Sequence, residues 1–234
     1  MLGKIRLACI GVAATAATLA LTAAASAIPL TLVGPIQGNT VGPQSTSNPC
    51  IIAGTNCQQP AGFGFNNFTS SGAISSYNMF STTPTANVAD GVQGTPYTVA
   101  QLTGEVGNFF NVAIDVNTTN AAGETLQLFE VLDLSKPAGS QVLYNFVGPA
   151  LIGNIANNGN GFADFTLNTV SLAGLPSTDQ ILFHAFWNNA SDGAESFFLI
   201  STVPGPIVGA GLPGLIAACG GLVVLARRRR QLVV

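Results

Sequence analysis

Positive charge is nearly absent from this sequence. Of its 234 residues only 7% are charged, where an ordinary cytosolic domain carries roughly a quarter. Six of the seven basic residues stand at the ends, Lys4 and Arg6 in front and Arg227, Arg228, Arg229 and Arg230 behind, while all ten acids fall between Asp90 and Glu195. Lys136 is therefore the only Lys or Arg of residues 28–203, and one cation against ten acids leaves that body at net −9. Such a surface cannot neutralise phosphates, which excludes nucleic acid as a partner. Histidine is almost missing too: a Ser-His-acid hydrolase would have to be built on His184, the only one. Its place among Leu182, Phe183 and Phe186 suits a satisfied core residue better than a general base. The sequence contains no GxSxG, no HExxH and no glycine loop with a phosphate-binding lysine, so nucleotide chemistry is excluded. No cofactor is expected.

Cysteine is scarce, and its placement is informative. Cys9 and Cys219 lie in the apolar end segments, leaving the body Cys50 and Cys57. Two cysteines and one histidine are too few for a metal cage of that kind, so no metal site is assigned. In an oxidising compartment a bridge between Cys50 and Cys57 is the expectation.

The ends read as addresses. Lys4 and Arg6, an apolar run from Leu7 to about Leu21, and Ala25-Ser26-Ala27 are the three regions of a secretory signal peptide (residues 1–27), cut after Ala27. At the other end Ile207–Ala226 carries no charge over 20 residues, and a helix of that length reaches about 30 Å, one hydrocarbon core. The arginines Arg227–Arg230 follow at once and keep that flank inside, so everything before Ile207 faces out. Two separate signals predict one topology. The segment Val203-Pro204-Gly205-Pro206, then Ile207 to Ile216 with Gly211-Leu212-Pro213-Gly214, an apolar stretch with Gly220-Gly221, and the arginine cluster resembles the PEP-CTERM sorting signal of Gram-negative bacteria. Gly205 stands where that family usually has Glu, and the resemblance is confined to residues 204–231 and Val203 before them. It implies recognition by an exosortase, a membrane transpeptidase that removes the tail. The route implied runs through the Sec translocon and signal peptidase, a transient stay in the inner membrane, and release to the cell surface or an extracellular matrix.

The body, residues 28–203, is expected to be all-β: a single antiparallel β-sandwich of jelly-roll type flanked by the signal peptide and the membrane helix. Residues 28–95 form an entry region without charge before Asp90, rich in turn formers yet holding Phe63, Phe65, Phe68, Tyr77 and Phe80, which need burial. Beyond it Phe110, Val112, Ile114 and Val116 alternate with Asn111, Ala113, Asp115 and Asn117, a half-buried strand. Leu126, Leu128, Leu132 and Leu134 are expected to share one face of the next. Further strands are predicted over 142–147, 162–167, 181–187 and 196–201, separated by turn signals such as Pro137-Ala138-Gly139 and Asp192-Gly193. No repeat or helical period appears between them, so a sandwich is favoured over a propeller or solenoid.

Three chemistries remain to be weighed. The pairs Asp192 with Glu195 and Glu130 with Asp133 could serve a glycosidase, but a turn or solvated face explains them more simply. The run Asn157 to Asp164 offers oxygen ligands for calcium, though Asn-Gly loops are usually just turns. Trp187 beside Asn188 and Asn189 could form a sugar-stacking face, against the reading in which Trp187, spaced by two from Ile181, Phe183 and Ala185, is core. The function expected is a non-catalytic surface or matrix structural protein, with an exopolysaccharide-binding module as the alternative and a glycosidase-type enzyme third.

Overall fold

Alternation of large apolar and polar residues, with few charges to solvate an extended chain, drives two sheets to cover one another. The computed structural model describes residues 26–52, 60, 62–63, 72–78, 94–118, 123–153, 155, 161–190 and 195–202. The signal segment through Ala25, Cys57, Asn157 to Asn160, Asp192 and the sorting segment from Val203, with its predicted membrane helix, lie outside them. No helix among the described residues is long and apolar enough to cross a membrane.

The first sheet runs β1 (Ile28–Pro29), β8 (Val142–Ile152), β7 (Glu124–Asp133), β10 (Gln180–Ala190) and β4 (Gly72–Tyr77), with β5 (Tyr97–Thr98) also paired to β10. The second runs β2 (Leu32–Val33), β9 (Phe165–Ser171), β6 (Phe109–Asp115), β11 (Ser196–Ser201) and β3 (Cys50–Ile52). Setting aside β1, β2 and β5, the orders are β4-β10-β7-β8 and β3-β11-β6-β9. Of these neighbours only β7 and β8 follow one another in the chain, so most connections cross from one sheet to the other.

One core fills the space between. Phe129, Phe183 and Trp187 from the first sheet meet Phe110 and Phe197 from the second, all wholly buried. The Phe129 and Phe197 rings stack at 5.1 Å and Trp187 meets Phe197 at 5.8 Å.

Three expectations need correction. The first sheet is mixed, because β1 lies parallel to β8. The chain entering at Ile28 finds the open edge of β8, and the Leu30 N–H donates to Asn145 O at 2.6 Å, covering groups an edge strand leaves unpaired. The second correction is a helix, α1 (Val99–Val106), where only strands and turns were foreseen. Thr98 caps it, accepting from the Gln101 N–H while the Gln101 side chain reaches back, and Val99, Leu102 and Val106 share the buried face. The third is the facing of β7. Leu126 is buried with Phe129 and Val131 in the core, whereas Leu128 and Leu132 lie on the opposite face. A bulge between Leu126 and Leu128 resets the alternation, and the pairing to both neighbours shifts there.

That bulge depends on Gly148. A Cβ at this position would lie 2.2 Å from the Leu126 carbonyl oxygen, a backbone atom that cannot swing away. Gly148→Ala is expected to lower stability by about 2 kcal/mol or more, read from the shift of the thermal unfolding midpoint.

Candidate functional site

His184 sits on the face of β10 that turns away from the core, because Ile181, Phe183, Ala185 and Trp187 take the inner positions. Register places Glu130 of β7 directly opposite it on one side and Tyr77 of β4 on the other. The Nδ1 atom lies 2.9 Å from Glu130 Oε2, and Nε2 lies 2.8 Å from Ser75 Oγ. Tyr77 stacks on the imidazole at 4.2 Å with an interplanar angle of 10°. Burial, and then the charge of Glu130, push the Tyr77 phenol above its ordinary value of 10.0, with Ser75 opposing. The imidazole is thus satisfied at both nitrogens and only 9% exposed.

Serine, imidazole and carboxylate in this order are the parts of a nucleophile relay. What a relay also needs is an N–H pair aimed at the developing oxyanion. Ser75 stands inside β4, an edge strand among the described residues, rather than on a sharp turn. Through Ser75 and Glu130 the imidazole forms a polar clamp joining three strands. Ser75 escaped sequence analysis because nothing in Gly72–Tyr77 signals that β4 lies beside β10.

A second concentration of chemistry lies at the end of the sandwich where β6 finishes and β7 begins. Asp115 ends β6, Glu124 opens β7, Asp164 precedes β9 and Glu195 precedes β11. All four are nearly or wholly buried. Asp115 Oδ2 accepts from the Gly161 N–H at 2.9 Å and from Gln44 Nε2 at 3.2 Å. Asp164 accepts from the Val116 N–H at 2.9 Å and from the Ile155 N–H. Glu195 Oε2 accepts from the Asn117 N–H at 2.6 Å. Burial raises the Asp115 carboxyl from 3.8 to about 7, the Gly161 N–H opposing and the charge of Asp164 adding. Burial, then the contact with Glu124, holds Glu195 well above its ordinary value. Sequence reading placed Asp115 at a polar position of a half-buried strand, Asp164 at the end of the calcium-type run and Glu195 in a pair explained by a turn or solvated face, and gave Glu124 no role, since their meeting depends on β6 pairing with β9 and β11.

The remaining sequence candidates are scattered. Trp187 is wholly buried against Phe197 and presents no stacking face, while Asn188 is half-buried and Asn189 exposed with φ 59°. Glu130 and Asp133 diverge: Glu130 meets His184, whereas Asp133 is wholly buried near Lys136 Nζ at 3.4 Å. The calcium-type run contributes Gly161 and Asp164, both engaged with backbone or side chains of the acidic end. Cys50 is wholly buried in β3 with Sγ 3.3 Å from Gln44 Oε1. Of the cleavage residues, Ala27 is half-buried just before β1. No family model, no curated protein and no solved structure matches this chain.

Proposed function

We propose that this chain is an exported, exosortase-sorted protein of the Gram-negative cell surface or extracellular matrix, with a non-catalytic jelly-roll body. The observation that carries the reading is the span of the strands among the described residues. The first of them begins at Ile28, directly after the cut predicted from Ala25 and Ala27, and the last ends at Ser201, two residues before Val203-Pro204-Gly205-Pro206. Removal of the leader and of the tail with its span and Arg227–Arg230 would therefore leave every described strand intact. The orders β3-β11-β6-β9 and β4-β10-β7-β8 support the jelly roll, in which strands one to eight run 1-8-3-6 and 2-7-4-5. A structural role is supported by His184, which ties β4, β10 and β7 together through Ser75 and Glu130. Burial of Trp187 removes the aromatic on which a sugar-binding reading rested.

Intact mass under non-reducing conditions, fraction by fraction from the native host, tests this. A chain beginning at Ile28, ending between Pro204 and Pro206 and lighter by two hydrogens is the expected species, the missing hydrogens reporting the Cys50–Cys57 bridge. Deletion of the host exosortase should leave the tail attached. Chains that keep Arg227 to Arg230 in the membrane fraction of the normal host would make this a tethered periplasmic protein instead.

A further inference from the structure

We infer that Ser75 is an acylation site: a serine nucleophile, with His184 as its base, that takes an apolar acyl group from an activated ester. Register puts the parts on one face. On the outward side of the first sheet, Tyr77, His184, Glu130 and Asn145 stand in a row across β4, β10, β7 and β8. Ser75, Phe186, Leu128 and Val147 form the next row. Ser75 Oγ at 2.8 Å and Glu130 Oε2 at 2.9 Å therefore reach the two nitrogens of one imidazole.

The direction of these bonds follows from donor chemistry. An ionised carboxylate only accepts, so Nδ1 carries the ring's proton, Nε2 of the neutral ring offers its lone pair, and the Ser75 hydroxyl donates to it. That is the polarity in which an imidazole takes the proton of an attacking serine. Tyr77 stacks on the ring at 4.2 Å and Glu130 fixes its rotation, so Nε2 is held toward Ser75 before any ligand arrives. The Tyr77 phenol also hydrogen-bonds Ser75 and, raised above 10.0, keeps its proton. It is a donor beside the carbon that Ser75 would attack, where negative charge develops.

In this step Ser75 Oγ attacks the acyl carbon of an aryl ester or thioester, and the Oγ proton passes to Nε2. The bond from that carbon to the leaving oxygen or sulfur breaks, and Nε2 returns the proton to the leaving atom. Nothing is oxidised or reduced, and the products are an O-acyl serine and a free phenol or thiol. The second row selects the acyl chain. Phe186 and Leu128 are half-buried, Val147 is 70% exposed, and the row carries no charge. It runs three strand spacings from Ser75, ~14 Å. An alkyl chain lying across it would cover apolar surface that otherwise meets water. One donor for the oxyanion favours a single acylation per chain over sustained turnover, so the inference goes beyond the sorting reading without resting on it.

Incubation of the full chain in detergent with p-nitrophenyl octanoate tests the inference. One octanoyl group per chain, located on Ser75 by peptide mapping, is expected, formed about tenfold or more faster than the acetyl adduct from p-nitrophenyl acetate. Ser75→Ala should carry none. His184→Gln, its folding checked by its unfolding midpoint, should slow the adduct by about 10²-fold or more, and so should unfolding of the parent in urea. The titratable groups facing the imidazole are Glu130 and Tyr77. The parent rate should rise with pH along one ionisation that Glu130→Gln moves to lower pH, which loss of a merely structural contact would not do. No adduct at Ser75 would overturn the inference, as would equal rates in the parent and folded His184→Gln. Equal rates for the two esters would overturn the apolar acyl chain. Release of nitrophenol far beyond one equivalent per chain would uphold the nucleophile and overturn the non-catalytic body instead.

Discussion

The contribution of Asp115 to stability is expected to be lost as pH rises from about 4 to above 7. Most paired carboxylates stabilise a fold less as they are protonated in acid; for this one the sign is reversed. Asp115 has its carboxyl raised from 3.8 to about 7 by burial, so the folded state binds its proton more tightly than the unfolded chain does. Its contribution is fully present below the unfolded value and is lost as pH passes through the folded one. A shift of that size is worth on the order of 4 kcal/mol, a large fraction of the 5–15 kcal/mol typical of a folded domain. Glu195 is displaced in the same direction, again by burial first and then by Glu124. Denaturant midpoints measured across this range should fall with pH, and Asp115→Asn should flatten much of the slope while keeping an acceptor for Gly161. An unchanged slope in Asp115→Asn between pH 4 and 7 would show that this carboxyl is solvated.

The other large effect belongs to Trp187. Replacing a wholly buried indole at the junction of two sheets with alanine removes its apolar area and leaves a cavity, together about 3–5 kcal/mol. The ring meets Phe197 across the core, and Phe197 in turn stacks on Phe129, so the cavity opens where three rings interlock. The indole Nε1 has no hydrogen-bond partner, and a buried donor in that state costs about 1–3 kcal/mol. Trp187→Phe discards that donor while keeping most of the packing, so it should retain far more stability than Trp187→Ala. Guanidinium unfolding of the two variants beside the parent checks this. Near-parental stability of the alanine variant would mean the indole is not part of the core.

How much of this was legible in the chain varied with what each feature depends on. The alternation of Phe110, Val112 and Ile114 predicts β6 and its buried face, because a strand with one face in a core repeats every two residues. The same reasoning misplaces Leu128 and Leu132, since one bulged residue inverts the pattern and nothing local announces it. Helix α1 is written in Thr98, Val99, Gln101, Leu102 and Val106, a capping box ahead of a short apolar stripe, yet eight residues are too few for periodicity alone to stand out from neighbouring strands. Strand β9 begins at Phe165 rather than 162: the Asp164 N–H still donates to Ile114 O of β6, while the Asp164 carbonyl accepts from the Ile36 N–H.

The candidate sites divide on the same line. Composition and order alone determined that the body has ten acids, one lysine and one histidine, and that the ends are apolar runs flanked by basic residues, because these are properties of residue identity and order. Only the tertiary structure decided that Glu124 and Glu195, 71 positions apart in the numbering, face each other in a dry place, and that Ser75 and Glu130 close on His184. Those meetings follow from which strands are neighbours, and neighbours in a sandwich whose chain keeps crossing between sheets are set by the packing of the whole core. No local pattern of side chains encodes them.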